Sequence, residues 1–332
     1  MIGGISLCYR TFFGIKRRVL SSVTIQKGLI VDTVRYLSLS NTSNMKLVQF
    51  KYNNNLNVVR VGFLDGNNVV DINKVDSSLP STLLDILKKG DIERVKSLKS
   101  KNPPSVPLSA VTLTAPIQGV DKVLCIGLNY KDHCDEQNLT PPPVPMVFGK
   151  FSSSIVGPDG AVRLRTDVTK KVDWEVELVV VIGKKASSVK AANAFDYVLG
   201  YTIAQDISAR DWQKERNMGQ FLLGKSMDTF CPIGPCITTS DEIGDPQKLD
   251  IKCSLNGVLK QTSNTCQLVH KIEDLIERLS SVMTLLPGDM ILTGTPGGVG
   301  MYRDPPEYLK PGDVLTNEIQ NIGSFDIKVE KF

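Results

Sequence analysis

Two glutamates stand two residues apart where an apolar run begins. In the stretch VDWEVELVVVIG, Glu175 and Glu177 come just before the apolar run Leu178 to Ile182. The side-chain period of a β-strand is two, so both carboxylates would point to the same face. Like charges on one face repel, and burying either carboxylate without a partner is costly. The pair is therefore either solvated at an exposed strand end or held together by a divalent cation.

A third carboxylate follows another apolar run. Asp206 lies just past residues 198–204 in the stretch GYTIAQDISARDWQ. Three carboxylates without a nearby His or Cys suit a hard cation, Mg²⁺ or Mn²⁺, in octahedral oxygen coordination. Three protein ligands would leave about three positions for water and substrate oxygens, which is typical of a catalytic metal site.

The chain has only two histidines, and one of them has a carboxylate close by in sequence. His133 lies in GLNYKDHCDEQN, with Glu136 three residues later. On a short helix these positions share a face, so the carboxylate can hydrogen-bond the imidazole and hold its tautomer. The pair is a candidate general base, and a purely structural histidine is the alternative. We interpret His270 as structural.

Four further side chains are candidates for contact with a substrate. Lys225 lies among apolar residues and could stabilise an enolate or a carboxylate; the alternative is a surface lysine. Arg210 and Gln213 share a face if their segment is helical, and Arg210 could then bind a substrate carboxylate through two hydrogen bonds. Thr295 opens a Gly-rich loop whose hydroxyl and amides could bind an anionic oxygen. This loop lacks the lysine of a P-loop, so nucleotide binding is not supported.

Many short β-like runs must position these residues. Strands outnumber helices and no regular βαβ rhythm is present, so the sequence predicts a β-rich α+β fold. Helical patterns are confined to residues 79–98, 189–195 and 272–279. Two Pro-Gly-Asp sequences, at 287–289 and 311–313, predict turns that lead into strands. The strand patterns after the N-terminal part cover residues 123–127, 177–182, 198–204, 250–255, 289–293 and 325–329.

Composition divides the chain into three parts. Residues 1–44 are basic, rich in Ser and Thr and nearly free of acid, which predicts a mitochondrial transit peptide or a disordered tail. Residues 45–117 combine a β-meander pattern, a helical pattern and a Pro/Ser stretch interpreted as a linker, and so predict a small N-terminal domain. Residues 118–332 predict the catalytic domain.

Charge and hydropathy exclude two classes of protein. Residues 46–332 carry 33 basic and 34 acidic side chains, so the body of the chain is nearly neutral and nothing favours nucleic-acid binding. Apolar runs are far shorter than the ~20 residues of a membrane span. The seven cysteines form no metal-binding spacing and are predicted to be free thiols in a reducing compartment.

Six stretches together resemble the fumarylacetoacetate hydrolase family. They occur in the order of that family and cover roughly residues 118–332; residues from Met45 resemble the small N-terminal domain of its longer mitochondrial members. The resemblance implies a β-roll catalytic domain, a homodimer and a divalent metal. The matching stretches are GLNYKDHCDEQ, PVPMVFGKFSSSIVGP, DWEVELVVVIG, GYTIAQDISARDWQ, GKSMDTFCPIGP and LLPGDMILTGTPGGVG.

The resemblance also assigns roles to the candidate residues. It implies metal binding by Glu175, Glu177 and Asp206. It implies an acid/base dyad of His133 and Glu136 on a segment that closes over the substrate. Lys225 matches the active-site lysine of the family. Positions near the substrate are matched by Arg210, Gln213 and Thr295.

The expected substrate is a small keto acid that chelates the metal through two oxygens. For a mitochondrial matrix member of the family, the expected reaction is Mg²⁺-dependent keto–enol tautomerisation of oxaloacetate. An acylpyruvate-type C–C hydrolase and an oxaloacetate decarboxylase are the alternatives, because all three reactions share an enolate. A catalytically silent binding or scaffold protein is a third possibility.

Overall fold

The computed structural model describes residues 45–332. The predicted transit peptide, residues 1–44, lies outside the described residues. Within residues 45–332 the strands are β1 (Lys46–Tyr52), β2 (Asn55–Asp65), β3 (Asn68–Asp71), β4 (Val106–Pro107), β5 (Val111–Leu113), β6 (Val123–Gly127), β7 (Met146–Lys150), β8 (Ile155–Val156), β9 (Ala161–Leu164), β10 (Val172–Asp173), β11 (Val176–Ile182), β12 (Val198–Gln205), β13 (Ser208–Ala209), β14 (Cys231–Thr239), β15 (Asp250–Leu255), β16 (Val258–Asn264), β17 (Met290–Leu292), β18 (Val314–Ile319) and β19 (Gly323–Lys331).

Helices are short and few in the described part of the chain. The longest has eleven residues, and no helix has the length and apolar character needed to cross a bilayer. The α-helices are α1 (Ile72–Val75), α2 (Leu83–Lys89), α3 (Ile92–Lys99), α4 (Lys131–Glu136), α5 (Leu222–Lys225) and α6 (Ile272–Val282). A π-helix spans Trp212–Arg216, and the remaining helical turns are of the 3₁₀ type.

Most strands join one large mixed sheet. Ten of its strands follow the order β4-β3-β2-β1-β14-β12-β11-β17-β6-β7, with β5 added beside β1 and β8 beside β14. A second sheet has the order β16-β15-β18-β19-β9, and β10 pairs with β13. The scarcity of helices and this sheet content confirm the predicted β-rich α+β class.

The central strand β11 carries the glutamates. It pairs with β12 on one side and β17 on the other, and every residue from Val176 to Ile182 is buried. Valine and isoleucine suit such a strand because their branched side chains pack well on a pleated surface covered on both faces. The antiparallel register places Val176 opposite Gln205 at the end of β12. One step further, Asp206 donates its N–H to the carbonyl of Glu175 at 2.8 Å.

The N-terminal part continues the same sheet. β1 pairs with β14 through Lys46–Thr238 and Leu47–Ile237. The stretch predicted to be a linker differs from the expectation, because it contains β4 and β5, and β5 pairs with β1. Apolar side chains on β5 are buried, and their burial outweighs the Pro/Ser composition that suggested a linker. A domain boundary near residue 117 stays a prediction.

Tertiary contacts also change two local expectations. The helical pattern over 79–98 forms two helices, because Gly90 adopts a left-handed φ of 76° and ends α2. The sequence PIGP at 232–235, whose prolines and glycine favour a turn, lies within the strand β14, which pairs irregularly with β12. Prolines in this segment weaken the strand signal, since proline cannot donate to a ladder. All cysteines in the described residues are free.

We expect Gly200→Ala to destabilise the sheet that carries Asp206. A Cβ at Gly200 in β12 would lie 2.1 Å from the carbonyl oxygen of Thr238 in β14, so the two strands would have to separate. Gly244→Ala is the matched control, because a Cβ there meets no atom within 4 Å. Chemical denaturation should show a loss of about 1–3 kcal/mol for Gly200→Ala and no comparable loss for the control. Equal stability of both variants would contradict the packing described here.

Candidate active site

Three buried carboxylates meet where β11 begins and β12 ends. One oxygen from each of Glu175, Glu177 and Asp206 lies within 4.8 Å of the others. The strand register explains this, because Glu175 and Asp206 continue the β11–β12 ladder and Glu177 lies two residues along β11. Side-chain alternation then directs both glutamates to one face, as the sequence predicts.

Three buried cations surround the carboxylates. The ammonium of Lys225, at the end of α5, lies 2.7 Å from both Glu175 Oε2 and Asp206 Oδ2. Lys150, at the end of β7, lies 2.7 Å from Asp206 Oδ1. Arg210 contacts Glu175 Oε1 at 2.7 Å. The bonds to Lys225 and Lys150 fix the orientation of the Asp206 carboxylate.

Glu177 differs from its two neighbours because it has no cationic partner. Its Oε2 accepts a hydrogen bond from the Gly294 N–H at 2.7 Å. Burial raises the pKa of Glu177 well above its ordinary value, and the negative charges of Asp206 and Glu175 raise it further. For Glu175, burial also acts to raise the pKa, but Lys225 and Arg210 outweigh it and lower the pKa to about 2.

This cluster fits a divalent metal ion. Its donor atoms are carboxylate oxygens, which hard cations such as Mg²⁺ and Mn²⁺ prefer. A dication beside Glu177 would neutralise the one buried carboxylate in the cluster without a cationic partner. The three residues predicted from the sequence are therefore assembled with suitable chemistry.

The histidine pair lies on α4, as the i, i+3 spacing predicts. His133 Nδ1 is 2.6 Å from Glu136 Oε1, and Glu136 Oε2 accepts from the Gly298 N–H at 2.7 Å. On the other side of the ring, the amide nitrogen of Gln137 lies 2.9 Å from His133 Nε2. An amide nitrogen can only donate, so Nε2 is the acceptor and the proton of the neutral ring is on Nδ1. Nε2 is therefore the basic nitrogen.

The Gly-rich loop holds carboxylates of the protein itself. The sequence suggested that its amides could bind an anionic oxygen, and the structure directs them to Glu177, Glu136 and Asp173. Thr295 Oγ1 donates to the Val176 carbonyl at 3.0 Å and accepts from Gln261 at 2.8 Å. The loop thus links the carboxylate cluster to the histidine pair.

Arg210 is held more tightly than the sequence suggested. Its Nε donates to Asp173 at 2.8 Å, and its Nη1 donates to Gln213 Oε1 at 3.0 Å, so Arg210 and Gln213 do share a face. Its Nη2 lies 2.8 Å from the same carboxylate, at Asp173 Oδ2. Asp173 therefore holds Arg210 in place, and Arg210 in turn orients Glu175.

One pocket of about 270 Å³ connects these groups. Seven of the nine predicted site residues line it, and Glu136 and Asp206 lie behind the residues that do. The predicted lining residues are His133, Glu175, Glu177, Arg210, Gln213, Lys225 and Thr295. The lining also includes Met146, Phe148 and Phe221, which add apolar surface to the pocket.

Sequence reasoning missed several residues at this site. Lys150 lies within one of the stretches that carried the family resemblance, but its spacing gave no sign of its bond to Asp206. Gln137 follows His133 by four residues, so helical spacing was the signal that could have identified it. Lys214 and Tyr302 also line the pocket and were not considered. Asp173, which accepts from Arg210 and from the loop, was missed as well.

A histidine that shares a pocket with buried carboxylates and a buried lysine defines a site for general acid–base chemistry. The family described as fumarylacetoacetate (FAA) hydrolase, C-terminal, matches residues 122–330. The chain belongs to the fumarylacetoacetate hydrolase family.

Curated relatives match across most of the chain. "Oxaloacetate tautomerase Fahd2a, mitochondrial" of Rattus norvegicus is 49% identical over 290 residues, which cover 86% of this chain and 92% of the relative. A homologue from Dictyostelium discoideum, described as a fumarylacetoacetate hydrolase domain-containing protein, is 40% identical and covers 87% of this chain and 98% of its own.

Solved structures share the fold. Fumarylacetoacetate hydrolase from Exiguobacterium antarcticum superposes with a TM-score of 0.76 at 33% identity, covering 87% of this chain and all of that one. Maleylpyruvate hydrolase from Sphingobium sp. SYK-6, solved with manganese(II) and pyruvate, gives a TM-score of 0.71 at 29% identity. The match covers 86% of this chain and 99% of that one.

Proposed function

We propose that this protein is a Mg²⁺-dependent oxaloacetate keto–enol tautomerase, which converts enol-oxaloacetate to the keto form. The observation that carries the proposal is one pocket lined by His133, Glu175 and Glu177, two of which belong to the carboxylate cluster completed by Asp206. The names of the relatives at 47–49% identity support the substrate and the reaction.

The metal proposed for the carboxylate cluster is Mg²⁺, with Mn²⁺ as the alternative. Glu175, Glu177 and Asp206 would hold it, and Lys225 and Arg210 would keep Glu175 ionised and oriented. When bound, such a cation supplies Lewis-acid stabilisation of negative charge on the oxygens of a keto acid. The manganese in the maleylpyruvate hydrolase structure supports a divalent ion of this kind.

His133 and Glu136 would move the proton. Nε2 exchanges its hydrogen bond from Gln137 for one from the substrate and takes the hydroxyl proton of the enol. The O–H electrons then form the C2 carbonyl, and the electrons of the C2=C3 double bond take the proton back from Nε2 at C3. Glu136 accepts from Nδ1 at 2.6 Å and therefore stabilises the imidazolium that forms between the two steps. The proton count of the protein is the same before and after turnover.

Lys225 would stabilise the negative charge of the enolate. Its ammonium has three donors, of which two are used by Glu175 and Asp206. The third remains for a substrate oxygen, because Lys225 also lines the pocket. Arg210, Gln213 and Thr295 are proposed to contact the substrate, because all three line the pocket.

Incubation of the purified protein with Mg²⁺ and enol-oxaloacetate tests the proposal. We expect loss of enol absorbance faster than the uncatalysed rate, without release of pyruvate. Pyruvate release from oxaloacetate would indicate a decarboxylase, and pyruvate release from acetylpyruvate would indicate an acylpyruvate-type hydrolase. Absence of activity with Mg²⁺ and with Mn²⁺ would favour a silent binding protein.

The cellular location and the assembly are part of the proposal. The relatives from rat, Xenopus laevis and human are named mitochondrial, which supports a matrix location for this protein. A transit peptide in residues 1–44 would supply the import signal. A homodimer is proposed from the resemblance to the family, and size-exclusion chromatography with light scattering would measure it.

A further inference from the structure

One cation of the pocket has no carboxylate partner. Among the described residues that line the pocket, Arg210 and Lys225 are both paired with buried carboxylates. Lys214 is the third cation of the lining, and it contacts Tyr302 instead of an acid. A cation of this kind is available to a negatively charged ligand.

Lys214 and Tyr302 present several donors together. Lys214 Nζ donates to the Tyr302 hydroxyl at 2.6 Å and lies 5.0 Å from the centre of its ring. This bond uses one of the three N–H donors of the ammonium, and it leaves the hydroxyl proton of the tyrosine free to donate. The pair can therefore form charge-assisted hydrogen bonds to both oxygens of a carboxylate.

The segments that carry the pair are anchored to the catalytic cluster. Tyr302 ends the helical turn Gly300–Tyr302, and Asp173 accepts from the N–H groups of Gly300 and Met301 at 2.7 and 2.9 Å. The same Asp173 accepts from Arg210, the partner of Glu175. Lys214 lies in the π-helix directly after Gln213, which Arg210 also contacts. Both segments are thereby tied to Asp173 and Arg210.

The pair lies beside the basic histidine. The rings of Tyr302 and His133 meet edge to face, with 6.2 Å between their centres. In oxaloacetate the carbon that gains the proton, C3, is bonded directly to C4, which is the carbon of the second carboxylate. A residue that binds the C4 carboxylate must therefore lie close to the group that protonates C3.

We propose that Lys214 and Tyr302 form a subsite for the second carboxylate of a C4 dicarboxylic keto acid and so select dicarboxylates over monocarboxylic keto acids. This inference rests on the proposed tautomerase activity. The keto-acid end faces the carboxylate cluster, and the C4 carboxylate accepts hydrogen bonds from both the Lys214 ammonium and the Tyr302 hydroxyl. Neither residue takes part in proton transfer.

Steady-state kinetics with two substrates tests the subsite. For the full-length protein with Mg²⁺, we expect Lys214→Met to raise KM for enol-oxaloacetate by about 10–100-fold with little change in kcat. The enol of the 4-methyl ester lacks the second charge, so its KM should not change. Tyr302→Phe should raise KM for oxaloacetate by about 3–10-fold, and Lys214→Arg should restore most of the affinity.

Lys171→Met is the matched control. Lys171 is a partly exposed lysine, but it pairs with Glu215 at 3.0 Å and does not line the pocket. Its variant should retain the wild-type KM for both substrates. The proposal is overturned if Lys214→Met raises KM equally for oxaloacetate and for the ester, or changes KM for neither.

Calorimetry separates this inference from the proposed function. 3,3-Difluoro-oxaloacetate has both carboxylates but no hydrogen on C3, and pyruvate has only one carboxylate. With Mg²⁺ present, Lys214→Met should weaken binding of the difluoro compound by about 10-fold or more and leave pyruvate binding unchanged. This result would support the subsite even if the wild type ketonised no enol. Equal weakening for both ligands, or none, would refute it.

Discussion

His133→Ala is expected to lower kcat for enol-oxaloacetate by roughly 10²–10⁴, the usual contribution of a positioned general base. Nε2 is the acceptor nitrogen because Gln137 donates to it at 2.9 Å and Glu136 fixes the proton on Nδ1. Removal of the ring leaves no other imidazole at the pocket in the described residues. The enol-absorbance assay measures the loss, and added imidazole should restore part of the activity in this variant.

The second histidine of the sequence provides the matched control. His270 does not line the pocket, and its Nε2 lies 3.0 Å from the Pro142 carbonyl. His270→Gln keeps a donor at this position and should leave kcat unchanged. If His133→Ala retained the wild-type kcat, or lost activity without any rescue by imidazole while unfolding more easily, His133 would be a structural residue.

Local sequence was sufficient to predict the parts of the site that depend on spacing along the chain. Glu175 and Glu177 share a face because strand side chains alternate, and His133 meets Glu136 because a helical turn brings i and i+3 together. The apolar runs before Asp206 and after Glu177 predicted the strands β12 and β11 within one residue at each end. These features arise from short-range geometry.

The sequence could not predict contacts between segments that are distant along the chain. Lys150 reaches Asp206 across 56 residues, and Lys225 reaches Glu175 across 50. A lysine among apolar residues gives the same sequence pattern on the surface and in a buried ion pair. Only the order of the strands in the sheet determines which of the two environments it has. For the same reason the sequence suggested Arg210 as a substrate clamp, whereas the fold commits most of its donors to Asp173, Glu175 and Gln213.

β14 shows how tertiary structure overrides local propensity. Its sequence contains two prolines and a glycine, which are strong turn signals, yet all nine residues are buried between β1 and β12. The adjacent strands supply apolar contacts that no window of the sequence reveals. The same strand joins the N-terminal segment to the sheet of the catalytic residues, so the predicted small domain is continuous with that sheet.

Glu177→Gln should abolish metal-dependent activity without loss of stability in the metal-free protein. A glutamine cannot replace a charged ligand. Loss of a residue that only supports a metal ligand already lowers metal affinity or activity by about 10–100-fold, so we expect a loss of at least about 100-fold in both for Glu177→Gln. Titration calorimetry with Mn²⁺ and the enol assay measure the two effects. Glu175→Gln is the comparison, since it removes the partner of Lys225 and Arg210 and should lower the free energy of unfolding by about 3–5 kcal/mol.

The pH dependence of metal-free stability distinguishes these two glutamates further. The pKa of Glu177 is raised above its ordinary value of 4.5, so its contribution to stability is fully present below that pH and is lost as pH rises toward the folded-state pKa. The free energy of unfolding of Glu177→Gln relative to wild type should therefore increase from pH 4.5 to pH 7.5. The pKa of Glu175 is lowered to about 2, so its contribution is present above pH 4.5 and disappears only as pH falls toward 2. Denaturation curves in EDTA at these pH values measure both trends. If Glu177→Gln became less stable relative to wild type as pH rises, the result would contradict an uncompensated carboxylate at position 177.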